Sequence, residues 1–147
     1  MKYLIAFFSI LAAFPAFAAT LEVQPVADKV WAIVGPLEQR SPENLANNAT
    51  FGVVETPDGI VLMDPGGSWK GAEALHVEIR KLSDKPVKFV INTGGQDHRW
   101  LGNGYWQAQA AKIIASDAAV ADHRDRASQH MSALSQFLGD GLTGTNS

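Results

Sequence analysis

The run Gly59-Ile60-Val61-Leu62-Met63 is apolar on both of the faces a strand would present. Such a strand belongs in the interior of a sheet rather than at its edge, and this constrains what surrounds it. Before it, residues 50–56 form a second strand-like run, joined through Pro57-Asp58. Two runs about a two-residue turn predict a β-hairpin. After it, Asp64-Pro65-Gly66-Gly67-Ser68 breaks the strand and leads into residues 69–82. There Ala72, Leu75, Ile79 and Leu82 recur at the spacing of one helix face.

The rest of the chain extends this pattern. Residues 21–26 alternate apolar and polar, Asp28-Lys29 turns, and Val30 to Val34 is a strand stopped by Gly35-Pro36. Residues 37–48, with Pro42 and three asparagines, read as a loop. Val87 to Ile91 is the next strand. A short helix is expected at 105–110, a strand at 112–115 and a long helix at 118–138 capped by Ser116-Asp117. The order is four strands, then helix, strand, helix, strand, helix, an α/β (α+β) chain. Its 147 residues suffice for one domain.

Residues 1–18 read as a secretory signal peptide. Lys2 gives a positive start, Leu4 to Phe14 is nearly unbroken apolar sequence, and Ala16-Phe17-Ala18 offers a cleavage site before Ala19. A retained anchor is the alternative, but the apolar run falls short of the ~20 residues that span a bilayer. Export to the periplasm or secretion is therefore expected, with membrane contact only during export. The domain is then 19–138, followed by a small polar tail, 139–147.

A net charge of −3 gives no electrostatic case for nucleic acid or for an anionic membrane surface. The absence of cysteine excludes a disulfide framework and a thiolate metal site. Four histidines remain as possible ligands: His76, His98, His123 and His130. His76 sits one residue from the Leu75 face, a boundary position. His123 and His130 are two helical turns apart, too far to share a metal without a ligand between. The surrounding run Asp122-His123-Arg124-Asp125-Arg126 reads as a solvated face with i, i+4 pairs. Neither Gly66-Gly67 nor Gly94-Gly95 has the Lys and Ser/Thr spacing of a phosphate loop.

Chemistry concentrates in residues 92–103, Asn-Thr-Gly-Gly-Gln-Asp-His-Arg-Trp-Leu-Gly-Asn. A strand that runs out into a Gly-rich loop carrying Asp97, His98 and Arg99 is a common way to build a site, since the sheet fixes the loop. Asp97 and His98 are the candidate metal ligands, with Asp97 also a candidate catalytic group. Asp64, Gln96, Arg99 and Trp100 are candidates for substrate contact or outer support. Each has a plainer reading. Asp97 and His98 can hydrogen-bond the backbone of the turn, Asp64 can cap the loop before Trp69, and Arg99 can pair with a nearby carboxylate. At least two of Trp100, Tyr105 and Trp106 are expected to pack in the core.

These segments resemble the first half of the metallo-β-lactamase superfamily. The resemblance lies in Val30-Trp31-Ala32-Ile33, in Gly59 to Gly66 with its Asp-x-Gly turn, in Lys88 to Thr93, and in Asp97-His98 and Gly102-Asn103. It covers residues 21–120 in order. It implies the first αβ half of an αββα sandwich, zinc as cofactor, and hydrolysis of a small molecule such as a β-lactam, thioester, lactone or phosphodiester. The family's His-x-His-x-Asp-His loop is not preserved. Counted from Asn92-Thr93, its ligand positions fall on Gly94, Gln96, His98 and Arg99. Shifted by one to restore Asp97-His98, the leading pair falls on Thr93 and Gly95. Three protein ligands and an open position are needed to make a metal-bound nucleophile, and the loop offers two candidates.

The chain ends before a second half would begin. The expectation is a fragment, or a half-domain whose uncovered sheet face self-associates. Three functions follow: an exported hydrolase-like protein inactive alone, a non-catalytic ligand-binding or accessory protein on the same scaffold, or a truncated product of a longer metallo-hydrolase.

Overall fold

The computed structural model describes residues 21–146, and the signal peptide and cleavage site expected from the sequence lie outside them. Strands β1 (Glu22–Ala27), β2 (Val30–Val34), β3 (Thr50–Thr56), β4 (Gly59–Met63), β5 (Val87–Ile91) and β6 (Lys112–Ile114) make one sheet in chain order. The first four are antiparallel neighbours, and Thr56 pairs with Gly59 across the two-residue turn. The last three are parallel, joined by helices α1 (Trp69–Leu82) and α2 (Asn103–Ala108). Parallel neighbours require such crossovers. Helix α3 (Asp117–Leu138) follows β6. No described helix is long and apolar enough to cross a membrane.

The order of elements is the one the sequence predicts, and β4 is an interior strand. One boundary moves. The short helix spans Asn103–Ala108 rather than 105–110, because Ala110 turns left-handed at φ 63° and stops it.

Helices α1 and α2 cover one sheet face. Ile33, Phe51, Val53, Ile60, Leu62 and Val90 are fully buried there against Ala72, Leu75, Ile79 and Trp106. Side chains alternate along a strand, so their neighbours Ala32, Val54, Val61, Met63, Phe89, Ile91 and Ile114 point to the opposite face. That face is apolar and partly open: Phe89 is 38 % exposed and Ile114 44 %.

Helix α1 starts where Ser68 Oγ accepts from Gly71 N at 2.9 Å. The loop before β3 is pinned to this helix start. Asn47 Nδ2 donates to Gly71 O, Asn47 Oδ1 accepts from Gly67 N, and Ser68 Oγ donates to Leu45 O. Residues 139–146 are docked against the same helix. Trp69 N donates to Thr145 Oγ1 at 2.9 Å and Lys70 Nζ to Asp140 O at 2.8 Å. The first N–H groups of a helix lack internal acceptors, and Thr145 supplies one.

Trp106 joins core and loop: it is fully buried and donates Nε1–H to Pro65 O at 2.9 Å. Trp106→Ala should cost about 3–5 kcal/mol in urea unfolding. Trp106→Phe keeps much of the packing and loses the hydrogen bond, so about 1–2 kcal/mol is expected. A Trp106→Phe chain as stable as the natural one would show that the hydrogen bond contributes nothing.

Candidate functional site

The C-terminal ends of adjacent parallel strands are where an open α/β sheet presents its loops for function. Here β4 delivers Asp64 and β5 delivers residues 92–100. Asp64 is buried and left-handed, φ 65°, a conformation that Asp tolerates better than most residues. Its Oδ1 accepts from Thr93 N at 2.8 Å, and its Oδ2 from Thr93 Oγ1 at 2.8 Å and Arg99 Nη1 at 2.6 Å. It therefore ties the two strand ends together. Asn92 and Asn103 add a reciprocal amide pair at 3.0 and 2.9 Å. Gly102 is required by close approach, since a Cβ there would lie 2.4 Å from Pro65 O.

Asp97 opens a 3-10 turn, Asp97–Arg99, and is buried. Its carboxylate takes both ends of the Arg40 guanidinium, Nε to Oδ2 and Nη2 to Oδ1, a bidentate pair spanning 57 residues. It also accepts from His98 N at 2.9 Å. Burial alone would push this carboxyl upward. The hydrogen bonds from His98 and Arg40, with the Arg40 charge, outweigh that and hold it well below the usual carboxylate range. His98 is buried beside it, Nδ1 3.3 Å from Asp97 Oδ1 and without a hydrogen-bond partner.

Helix α3 closes over this loop. His123 Nε2–H donates to Gly94 O at 2.9 Å. Its ring stacks on Trp100 with centroids 4.7 Å apart and planes at 12°, and His130 lies against the same indole at 6.1 Å. Burial holds the His130 imidazole below its usual value. The Asp122–Arg126 ion pair lies directly over Gly95, where a Cβ would come within 1.5 Å of Asp122 Oδ2. Only glycine fits beneath that pair.

The structure thus brings Asp97 and His98 together, and Asp64 and Arg99 together, in two separate ion-paired groups. Arg99 directs Nη1 to Asp64 and Thr93, and Nε to Gln96 Oε1 at 3.0 Å. Trp100 is buried under α3, and Tyr105 and Trp106 are buried as well. The charge run on α3 needs a correction. Asp122 and Arg126 do make the i, i+4 pair, but His123 faces inward and is buried. It lies on the helix face of Ala119, Leu134 and Leu138, a spacing that would have revealed it. Arg40 escaped notice because nothing local links a polar-loop arginine to a carboxylate so far along the chain.

The residues present do not fit the zinc ion that the resemblance implies. Both Asp97 oxygens and both Asp64 oxygens already accept charge-assisted or backbone hydrogen bonds. Among the described residues no group of three His, Asp or Glu side chains could hold a metal. Two unit charges ~4 Å apart repel by about 4 kcal/mol at an effective dielectric of ~20, and a divalent ion doubles this. Arg40 and Arg99 would each oppose such an ion.

No protein-family profile matches the chain. A linear primary-alkylsulfatase of a Pseudomonas species is 37% identical over 41 residues, 28% of this chain and 8% of that protein. Among solved structures, a metallo-β-lactamase from Pontibacter korlensis superposes with TM-score 0.60 at 22% identity, covering 74% of this chain and 49% of its own. The metallo-β-lactamase FIM-1 from Pseudomonas aeruginosa, in mono-zinc form, gives 0.57 at 16% identity, covering 76% and 46%. One from Hirschia baltica gives 0.57 at 16%, covering 74% and 48%. The chain spans about half the length of the solved structures it matches.

A carboxyl whose folded-state value is depressed contributes stability above its unfolded value, near pH 4, and loses it as pH falls further. Urea midpoints should therefore drop more steeply below about pH 4 in the natural chain than in Asp97→Asn. Parallel pH profiles would show that Asp97 gains nothing from its partners.

Proposed function

We propose that this chain, which has the first αβ half of the metallo-β-lactamase fold, is an exported hydrolase-like protein that does not hydrolyse substrate by itself. The observation that carries this is the loop after β5. It offers one imidazole, His98, and one carboxylate, Asp97, which Arg40 already holds, while Asp64 at the end of β4 is held by Arg99. A metal-activated water needs three protein ligands and a free position. The resemblance supplies the reaction class, and fold alone does not supply the activity.

The open sheet face supports the second half of this reading. Ala32, Val54, Val61, Met63, Phe89, Ile91 and Ile114 form an apolar surface of the kind that becomes an interface. Two copies of the chain, or the chain and a further αβ unit, can bury it.

A cleft beside the loop favours non-catalytic binding as the second reading. It encloses about 270 Å³ and is lined by Trp100, Asn103, Gly104, Gln107 and Asn146. Carboxamides and an indole edge suit a small polar molecule.

Hydrolysis is tested by assaying the chain with β-lactam, thioester, lactone and phosphodiester substrates, with and without added zinc. Rates at the buffer level throughout are expected, unchanged by His98→Ala. A zinc-dependent rate lost in His98→Ala would overturn the proposal. Sedimentation tests the sheet face: self-association is expected, and Phe89→Glu with Ile114→Lys should weaken it at least tenfold. A strictly monomeric natural chain would remove that part.

A further inference from the structure

We infer that the Arg40 guanidinium does at this loop what a metal ion does in a His/Asp loop: it gathers the buried carboxylate and locks the loop without any metal. Three observations converge. Arg40 meets Asp97 through a two-pronged pair, with side chains only 24% and 9% exposed. The planar fork of arginine matches a carboxylate in a way a lysine ammonium cannot. The cation also arrives from a different part of the chain, so the pair joins the loop before β3 to the loop after β5.

The segment carrying Arg40 is itself held in place. Leu45 and Ala46 are both left-handed, at φ 53° and 64°. Such residues are strained and persist only where their surroundings hold them. Here Asn44 Nδ2 donates to Gln39 O at 2.7 Å, Asn44 Oδ1 accepts from Ser41 N and Ala46 N, and Asn47 grips Gly67 and Gly71. Arg40 is thus presented by a fixed turn. The second carboxylate, Asp64, takes a single nitrogen of Arg99, and Asp122 over Gly95 takes two of Arg126. Three carboxylates and three guanidiniums cancel in charge. Adding a divalent cation would break that balance.

The inference is tested on the full-length chain by incubating it with zinc, desalting, measuring retained metal, and melting it with EDTA and with excess zinc. Well under one zinc per chain and coincident melts are expected. Arg40→Ala should melt about 10 °C lower, and Arg40→Lys, which keeps the charge but loses the fork, should recover only part of that. One retained zinc per chain with a chelator-sensitive melt would overturn the inference, as would an Arg40→Ala chain melting like the natural one. The natural-chain measurements decide the metal question even where a variant does not fold. Zinc retained without hydrolysis would overturn this inference and leave the proposed function standing. Metal-free hydrolysis would do the reverse.

Discussion

A buried carboxylate must be neutralised, and the way Asp97 is neutralised sets the character of the whole loop end of this molecule. An unpaired charge in such a place costs several kcal/mol, and a buried pair that loses one partner costs about 2–5 kcal/mol. Arg40 meets that requirement from 57 residues away, and so the loop before β3 and the loop after β5 become one unit. Asp64 repeats the solution at the end of β4, taking Thr93 and Arg99. Helix α3 then completes the enclosure, with His123 on Gly94 O and the Trp100 indole against its ring. Each contact depends on the loop being already in place.

The sheet explains why this arrangement sits where it does. Parallel strands β4 and β5 end side by side, and their following residues meet above the sheet edge. One sheet face is closed by α1 and α2 around Phe51, Leu62, Leu75 and Trp106. The other carries Val61, Phe89 and Ile114 with no described helix across it. The first αβ half of a metallo-β-lactamase-like fold is therefore present, while the groups at the loop are arranged for salt bridges. Scaffold and chemistry are separable here because the sheet fixes backbone positions and leaves the side chains on the loop free to differ.

Most of the fold was legible in local pattern. The doubly apolar run at Gly59 to Met63 located the interior strand, Pro57-Asp58 the hairpin, and the Ala72, Leu75, Ile79 repeat the covering helix. These signals are short-range, so one chain suffices to read them. The site was legible only in position. Asp97, His98, Asp64 and Arg99 could be named as polar groups on strand ends, but their partners depend on which distant segments meet. Arg40 gave no signal because its partner is set by the turn at Asn44 to Asn47 and by the whole sheet between. His123 was hidden by its charged neighbours, although its spacing from Ala119 and Leu134 marks the inner helix face. The residues after Leu138 read as a small polar tail, and their docking on α1 was not legible because Thr145 accepts from an N–H of Trp69 that no local pattern links to it.

The central claim is that Arg40 and Asp97 act as one structural unit. A double-mutant cycle on unfolding free energy, with Arg40→Ala, Asp97→Ala and the pair, measures that directly. Residues in one salt-bridge network show interaction energies of about 0.5–3 kcal/mol, so the double variant should lose less than the sum of the two single losses by an amount in that range. Strictly additive losses would contradict the account.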